Sequence, residues 1–216
     1  MNKAVNKSKS FQRPFGQPDF EGAKSYVLGR LERELAPNLF YHSLEHTRDD
    51  VWPAAKRLAA LAGVTGEDLV LLQTAALYHD IGFVKQTHNH ESVSSEITQE
   101  VLPDFGYSRE QIERINDLIM VTKLPQNPKN LLEELMADAD LDVLGRDDFF
   151  ISTHKLQAEL RAYGRPTTQR EWYRIQLHFL KSHRYFSTVA KVLREEQKQR
   201  NIEGLKALLV ACQEPV

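Results

Sequence analysis

The chain has 216 residues, enough for one sizeable domain. Its 28 basic and 30 acidic residues leave a formal charge of -2, which excludes the broad positive surface that nucleic acid or an anionic membrane requires. A single cysteine, Cys212, excludes an internal disulfide, so the fold does not depend on an oxidising compartment and a cytoplasmic location is expected. Apolar runs such as Leu69 to Tyr78 fall far short of the roughly 20 residues that span a bilayer, so a soluble protein is expected.

Residues 1–18 read as a flexible tail, with Lys3, Lys7, Lys9 and Arg13 but no acid before Asp19 and no apolar stretch of the secretory type. Beyond it, apolar residues recur at helical spacing while alternating or β-branched runs are missing, so the fold class is all-α. Residues 19–216 show no repeat, low-complexity block or composition break and read as one domain.

A first helix is predicted from Asp19 to Leu35, with Tyr26, Leu28, Leu31 and Leu35 inward, stopping before Pro37. A second runs from Ser43, as N-cap, to Ala62, with Pro53 expected to kink it. The third, from Thr65 to Gly82, is almost wholly apolar from Leu69 to Tyr78 and so should be the central helix, buried on all sides. Helices follow over Glu91 to Leu102, Ser108 to Thr122 with a Ser108/Gln111 capping box, Leu131 to Leu144 and Asp148 to Tyr163. A last pair starts at Thr168, capped with Glu171, and ends at Ala211; its basic run from Lys191 to Arg200 alternates with glutamates and reads as a solvated face.

The adjacent residues His79 and Asp80 close the most apolar helix, where a buried carboxylate beside an imidazole is costly unless a cation compensates it. His42 and His46, four residues apart, share a face if both are helical, so at least one can reach a neighbouring helix. Asp138, Asp140 and Asp142 lie in an otherwise apolar stretch, and one or more should face positive charge. Two imidazoles and two carboxylates make a mixed nitrogen and oxygen site suited to a divalent ion: manganese, iron, nickel, zinc or, less well, magnesium. With four protein ligands such an ion keeps positions for water and a substrate oxygen, so that the water becomes acidic enough to attack phosphorus.

The order His46, then His79-Asp80, then a distant Asp140 resembles the HD-domain superfamily of metal-dependent phosphohydrolases. The strings that carry the likeness are Tyr41-His42-Ser43-Leu44-Glu45-His46-Thr47, Tyr78-His79-Asp80-Ile81-Gly82-Phe83 and Asp138-Ala139-Asp140-Leu141-Asp142. The resemblance spans roughly Tyr41 to Arg146, implying an HD-type helical core over 41–146 and a helical C-terminal extension over 147–216. It implies His46, His79, Asp80 and Asp140 as ligands of a divalent metal ion, with His42 matching the position that protonates a leaving group. The first and last strings are also similar to those of cyclic-nucleotide phosphodiesterases. Ser43 stands where those enzymes commonly carry asparagine, and no glutamine-lined base pocket is found in the sequence, so a cyclic nucleotide is not implied. The implied activity is hydrolysis of a phosphate ester of a nucleotide or other small phosphorylated metabolite, without a nucleic-acid or membrane partner.

Around these four residues, Asp80 is expected to position the attacking water as well as to bind the ion, and His42, His90 and Lys123 to stabilise or protonate the departing oxygen. Ser94, one turn beyond His90, is placed to present a polar group over the metal. Asp138 or Asp142 could instead cap a helix or orient a ligating histidine. Arg48 and Arg146 offer further cations, His88 reads as exposed, and His154, His178 and His183 read as packing residues. Two other readings compete: a diiron HD-type oxygenase acting on a small molecule, which needs about six ligands where the sequence offers four plus His90, and a non-catalytic protein that binds a metal or regulatory ligand.

Overall fold

A computed structural model describes residues 18–212, and every regular element among them is helical. The expected N-terminal tail lies outside the described residues except for Pro18. No helix among the described residues is long and apolar enough to cross a membrane.

Helix α1 (Phe20–Glu34) is capped by Asp19, whose carboxylate accepts from the Gly22 amide at 3.0 Å. Its inward stripe is Ala23, Val27 and Leu31, at intervals of four; Tyr26, Leu28 and Leu35 flank it half-buried rather than forming it. The next helical segment begins at Leu44, after Ser43, whose hydroxyl accepts from the His46 amide at 3.4 Å. It opens as a π-helical turn (His46–Val51) before settling into α2 (Trp52–Leu61). The turn runs directly into Pro53, which has no N–H to give and sits in the first turn of α2, and in its wider register Trp52 N–H reaches Thr47 five residues back.

Helix α3 (Gly66–Tyr78) is the central element, packed against α1, α2, α5 and α6, with Leu71, Leu72 and Ala75 to Tyr78 fully buried. It ends four residues earlier than its apolar pattern predicts. His79 and Asp80 form a turn, and a short 3-10 helix (Ile81–Val84) leads the chain away. The cause is a close crossing: a methyl group on Gly82 would lie 2.1 Å from the carbonyl oxygen of His90, so only glycine lets the turn lie against the start of α4 (His90–Val101). Ser94 fastens this crossing. Its hydroxyl donates to the His79 carbonyl at 2.6 Å and accepts from Gly82 N–H at 2.8 Å, so it stitches backbone rather than facing the site as expected.

Helix α5 (Arg109–Met120) starts at the predicted capping box of Ser108 and Gln111. Helix α6 (Leu131–Asp140) stops at Asp140, and the predicted continuation to Leu144 is instead a 3-10 turn (Asp142–Gly145). The predicted Thr168/Glu171 box opens α8 (Gln169–Ser182), which follows α7 (Phe149–Ala162) and precedes α9 (Thr188–Ala211).

Two apolar clusters result. One gathers α1 to α6; the other joins Val143, Leu144 and Phe149 to Trp172, Tyr173 and Leu180 of α8 and to Ile202 and Leu205 of α9. Asp138 and Asp142 fasten the two together. Asp138 accepts from the amides of Phe186 and Ser187, both at 2.8 Å, and from the Ser187 hydroxyl at 2.6 Å, just where α9 begins. Asp142 pairs with Arg57 of α2 at 2.8 Å and with the fork of Arg194 of α9 at 2.8 and 2.9 Å. The basic run of α9 is therefore not simply a solvated face: Arg194 turns inward, and Lys198, 3% exposed, donates to the His183 carbonyl. Of the histidines read as packing residues, His183 lies against Phe179 and Tyr185, while His154 and His178 are exposed.

Gly82→Ala should lower folding stability by about 2 kcal/mol or more in denaturant unfolding, because the overlapping atom is backbone and cannot swing aside. A loss under about 0.5 kcal/mol would show that the crossing is loose.

Candidate metal centre

Three stretches of chain meet at one point beneath a cavity. The π-helical turn delivers His46, the turn after α3 delivers His79 and Asp80, and the C-terminal residue of α6 delivers Asp140. One ligand atom each from His46, His79 and Asp140 lies within 4.8 Å of the others. His79 Nε2 is 3.2 Å from Asp80 Oδ2 and 3.3 Å from Asp140 Oδ1, and His46 Nε2 is 3.7 Å from each of the same two oxygens.

The tautomer of His79 is set by its backbone. Nδ1 lies 2.9 Å from the carbonyl of Ala76, which can only accept, so Nδ1 carries a proton and Nε2 is the nitrogen whose lone pair meets the cluster whenever the ring is neutral. His79 Nε2 and Asp80 Oδ2 are both buried and neither has a hydrogen-bond partner. Burial opposes the charged forms of both groups, but their mutual attraction overrides it, holding His79 well above the usual imidazole range and Asp80 well below the usual carboxylate range. Asp140 is likewise held low, because the two imidazoles outweigh its burial.

His42 sits in the loop before the π-turn, not on a helical face shared with His46, and is oriented by a residue that the sequence did not single out. Glu159 of α7, 4% exposed, places one carboxylate oxygen 2.5 Å from His42 Nδ1. Its other oxygen accepts from the amides of Tyr41 and His42 at 2.8 and 3.0 Å. Burial works against the imidazolium, yet Glu159 and the nearby Asp80 raise the His42 pKa, while His42 lowers that of Glu159 against its own burial. Phe83 lies between two imidazoles, its ring stacked at 4.4 Å on His42 and at 4.1 Å on His90. His90 Nε2 is 3.3 Å from Asp80 Oδ1, the carboxylate oxygen turned away from His46 and His79.

The remaining candidates separate by their contacts. Lys123 is exposed at the cavity wall and donates to Asn89 at 2.6 Å; Asn89 itself takes a left-handed conformation (φ 55°) just before α4. His88 is exposed as expected. Arg146 divides its guanidinium between Asp50 and Asp148, and Arg48 pairs with Asp49 at the surface, so neither is free for an anion in the cavity. Among the three aspartates of the last string, Asp138 and Asp142 hold the backbone and helices described above and only Asp140 faces the histidines. The signal that could have found Glu159 is its place on α7, where it falls on the inward side near Thr153 and Leu156 as a carboxylate that cannot reach water.

The cavity has a volume of about 740 Å³, and His42, His46, Asp80, His90 and Asp140 line one part of it. The family model described as HD domain matches residues 41–142, a span that holds every residue of the cluster and stops before Glu159. No curated protein and no solved structure matches the chain. The match over residues 41–142 supports membership of the HD-domain superfamily.

Proposed function

We propose that the chain is a metal-dependent phosphohydrolase that cleaves a phosphate ester of a nucleotide or small phosphorylated metabolite, with His46, His79, Asp80 and Asp140 holding one divalent ion. The observation that carries this reading is that His79 Nε2 and Asp80 Oδ2 are buried without a hydrogen bond, and that the Nε2 atoms of His46 and His79 each lie 3.2 to 3.7 Å from one oxygen of Asp80 and one of Asp140. Ligand bonds of about 2.0–2.2 Å set neighbouring donors roughly 3.0–3.6 Å apart; donor atoms of His46, His79 and Asp140 already lie within 4.8 Å of one another, and Asp80 would join them through Oδ2, 3.2 Å from His79 and 3.7 Å from His46. The match to a family of metal-dependent hydrolases supports the same reading. The manganese, iron, nickel, zinc or magnesium ion would supply positive charge for a phosphate oxygen and acidify an attacking water.

The protein side chains have separable tasks. Asp80 has one oxygen toward the ligand cluster and the other toward His90, so it can orient a water while holding the ion. His42 has Nδ1 committed to Glu159, which leaves Nε2 to deliver a proton to the departing oxygen. Glu159 positions that imidazole and favours its protonated form. Lys123 at the wall adds a cation near an incoming phosphate.

A two-metal oxygenase reading draws on one observation, the 3.3 Å approach of His90 to the outer oxygen of Asp80, with Glu91 a further 3.7 Å from the same imidazole nitrogen. That is fewer donors than a second ion needs, and two irons per chain in elemental analysis would promote it. A metal that only staples helices is the third reading. It is distinguished by screening phosphatase and phosphodiesterase substrates with each metal in turn: Asp80→Ala should reduce turnover about a hundredfold or more, and metal binding without activity in any condition would favour the staple.

His46→Ala and Asp140→Ala should each lower the metal content of purified protein, whereas His178→Ala, on the exposed side of α8, should leave it unchanged. The opposite pattern would show the ligand assignment to be wrong.

Glu159→Gln should reduce kcat more than it changes KM and leave metal content alone. A general acid works only while protonated, and Glu159 raises the His42 pKa, so losing its charge should move the alkaline limb of the pH profile to lower pH. The same pair bears on stability. The His42 part is complete below the unfolded imidazole value near 6.5 and is lost as pH rises through the higher folded value; the Glu159 part is lost as pH falls through its depressed one. An unshifted alkaline limb in Glu159→Gln would remove Glu159 from this role.

A further inference from the structure

The cavity does not end at the ligand cluster. It continues into a cleft formed by the 3-10 turn Asp142–Gly145, α7 and α8, with walls that include Leu144, Phe149, Leu156, Leu160, Trp172 and Phe179. All six lie beyond residue 142, outside the segment that the family model matches. We propose that the substrate is a phosphate ester whose organic part is an uncharged, largely apolar body with one neutral polar edge, seated in this cleft while its phosphate meets the ligand cluster. The inference rests on the hydrolase reading for the phosphate and on the cleft alone for the body.

Size and polarity carry it. About 740 Å³ is the volume of a site for a whole organic ligand, far more than a phosphate group occupies. The walls are mostly leucine and aromatic carbon with few polar groups, among them Trp172 Nε1 and Thr153 Oγ1, both buried without a hydrogen bond, so a nucleoside with its ribose hydroxyls and polar base edges would lose water at more places than it gains partners. The lysine and arginine of the cavity wall, Lys123 and Arg165, are both exposed side chains, so a second anionic group on the substrate has no buried lysine or arginine to meet it.

Gln176 of α8 supplies the polar end. It lines the cavity, is 6% exposed, and makes no hydrogen bond among the described residues. Its amide is free to pair with a ligand, and the donor and acceptor together suit a neutral carbonyl or lactam-type edge rather than an ion. Ile175, also on the cavity wall but 49% exposed, gives a place where a charge can be introduced without burying it in the core.

The test uses the full chain with manganese supplied, 4-methylumbelliferone as a phosphate-free probe followed by its own fluorescence, and turnover of 4-methylumbelliferyl phosphate against adenosine monophosphate. Umbelliferone should bind saturably, Ile175→Glu should weaken it about tenfold and Gln176→Leu about fivefold, and neither change should alter manganese content. The aryl phosphate should exceed adenosine monophosphate in kcat/KM by about tenfold or more. Absence of saturable umbelliferone binding, binding indifferent to both substitutions, or preference for adenosine monophosphate would each overturn the proposal. Umbelliferone binding that responds to both substitutions, with no turnover of any ester, would support the cleft and remove the hydrolase reading instead.

Discussion

The structure is organised around one electrostatic constraint: two imidazoles and two carboxylates are gathered beneath a cavity, with His79 Nε2 and Asp80 Oδ2 buried 3.2 Å apart and without a hydrogen bond. Charges withdrawn from water in this way are tolerated only where an opposite charge meets them. Much of the surrounding fold serves to hold these groups in place. The apolar α3 fixes the height of the His79-Asp80 turn, the carbonyl of Ala76 fixes the tautomer of His79, and the crossing of Gly82 with α4, tied by Ser94, brings His90 to the outer oxygen of Asp80.

The C-terminal helices do more than cover the bundle. Glu159 comes from α7 to hold His42, and the apolar cleft that continues the cavity is walled largely by α7 and α8. Asp138 and Asp142 attach α9, through Phe186, Ser187 and Arg194, to the elements that carry the site. One short segment, Asp138 to Asp142, thus divides three similar carboxylates between a helix start, the imidazole cluster and an arginine pair. Their neighbours decide among them: a helix beginning at Ser187, two histidines, and the guanidinium groups of Arg57 and Arg194.

What was legible in the sequence follows from local chemistry. The all-apolar run of α3 marked the central helix, the Ser108 and Thr168 capping boxes marked two helix starts, and the likeness of the three strings to the HD-domain superfamily marked His46, His79, Asp80 and Asp140 as residues to look for together. What was not legible depends on contacts between distant residues or on a backbone that departs from a regular helix. The π-helical turn interrupts the regular helix that the sequence predicts from Ser43; Glu159 meets His42 across 117 positions; Ser94 looked like a site residue until its hydroxyl was seen to bind the backbone of His79 and Gly82. Arg194 and Lys198 were hidden in a run whose alternating charges imitate a solvated face, although Arg194 pairs with the buried Asp142 and Lys198 donates to the His183 carbonyl.

The measurement that bears most directly on the central claim is anomalous scattering from a crystal of the full chain grown with manganese. A single strong peak bonded to His46 Nε2, His79 Nε2 and one oxygen each of Asp80 and Asp140 is the expected result. A peak bonded elsewhere, or these four side chains paired only with one another and with water at saturating manganese, would contradict it.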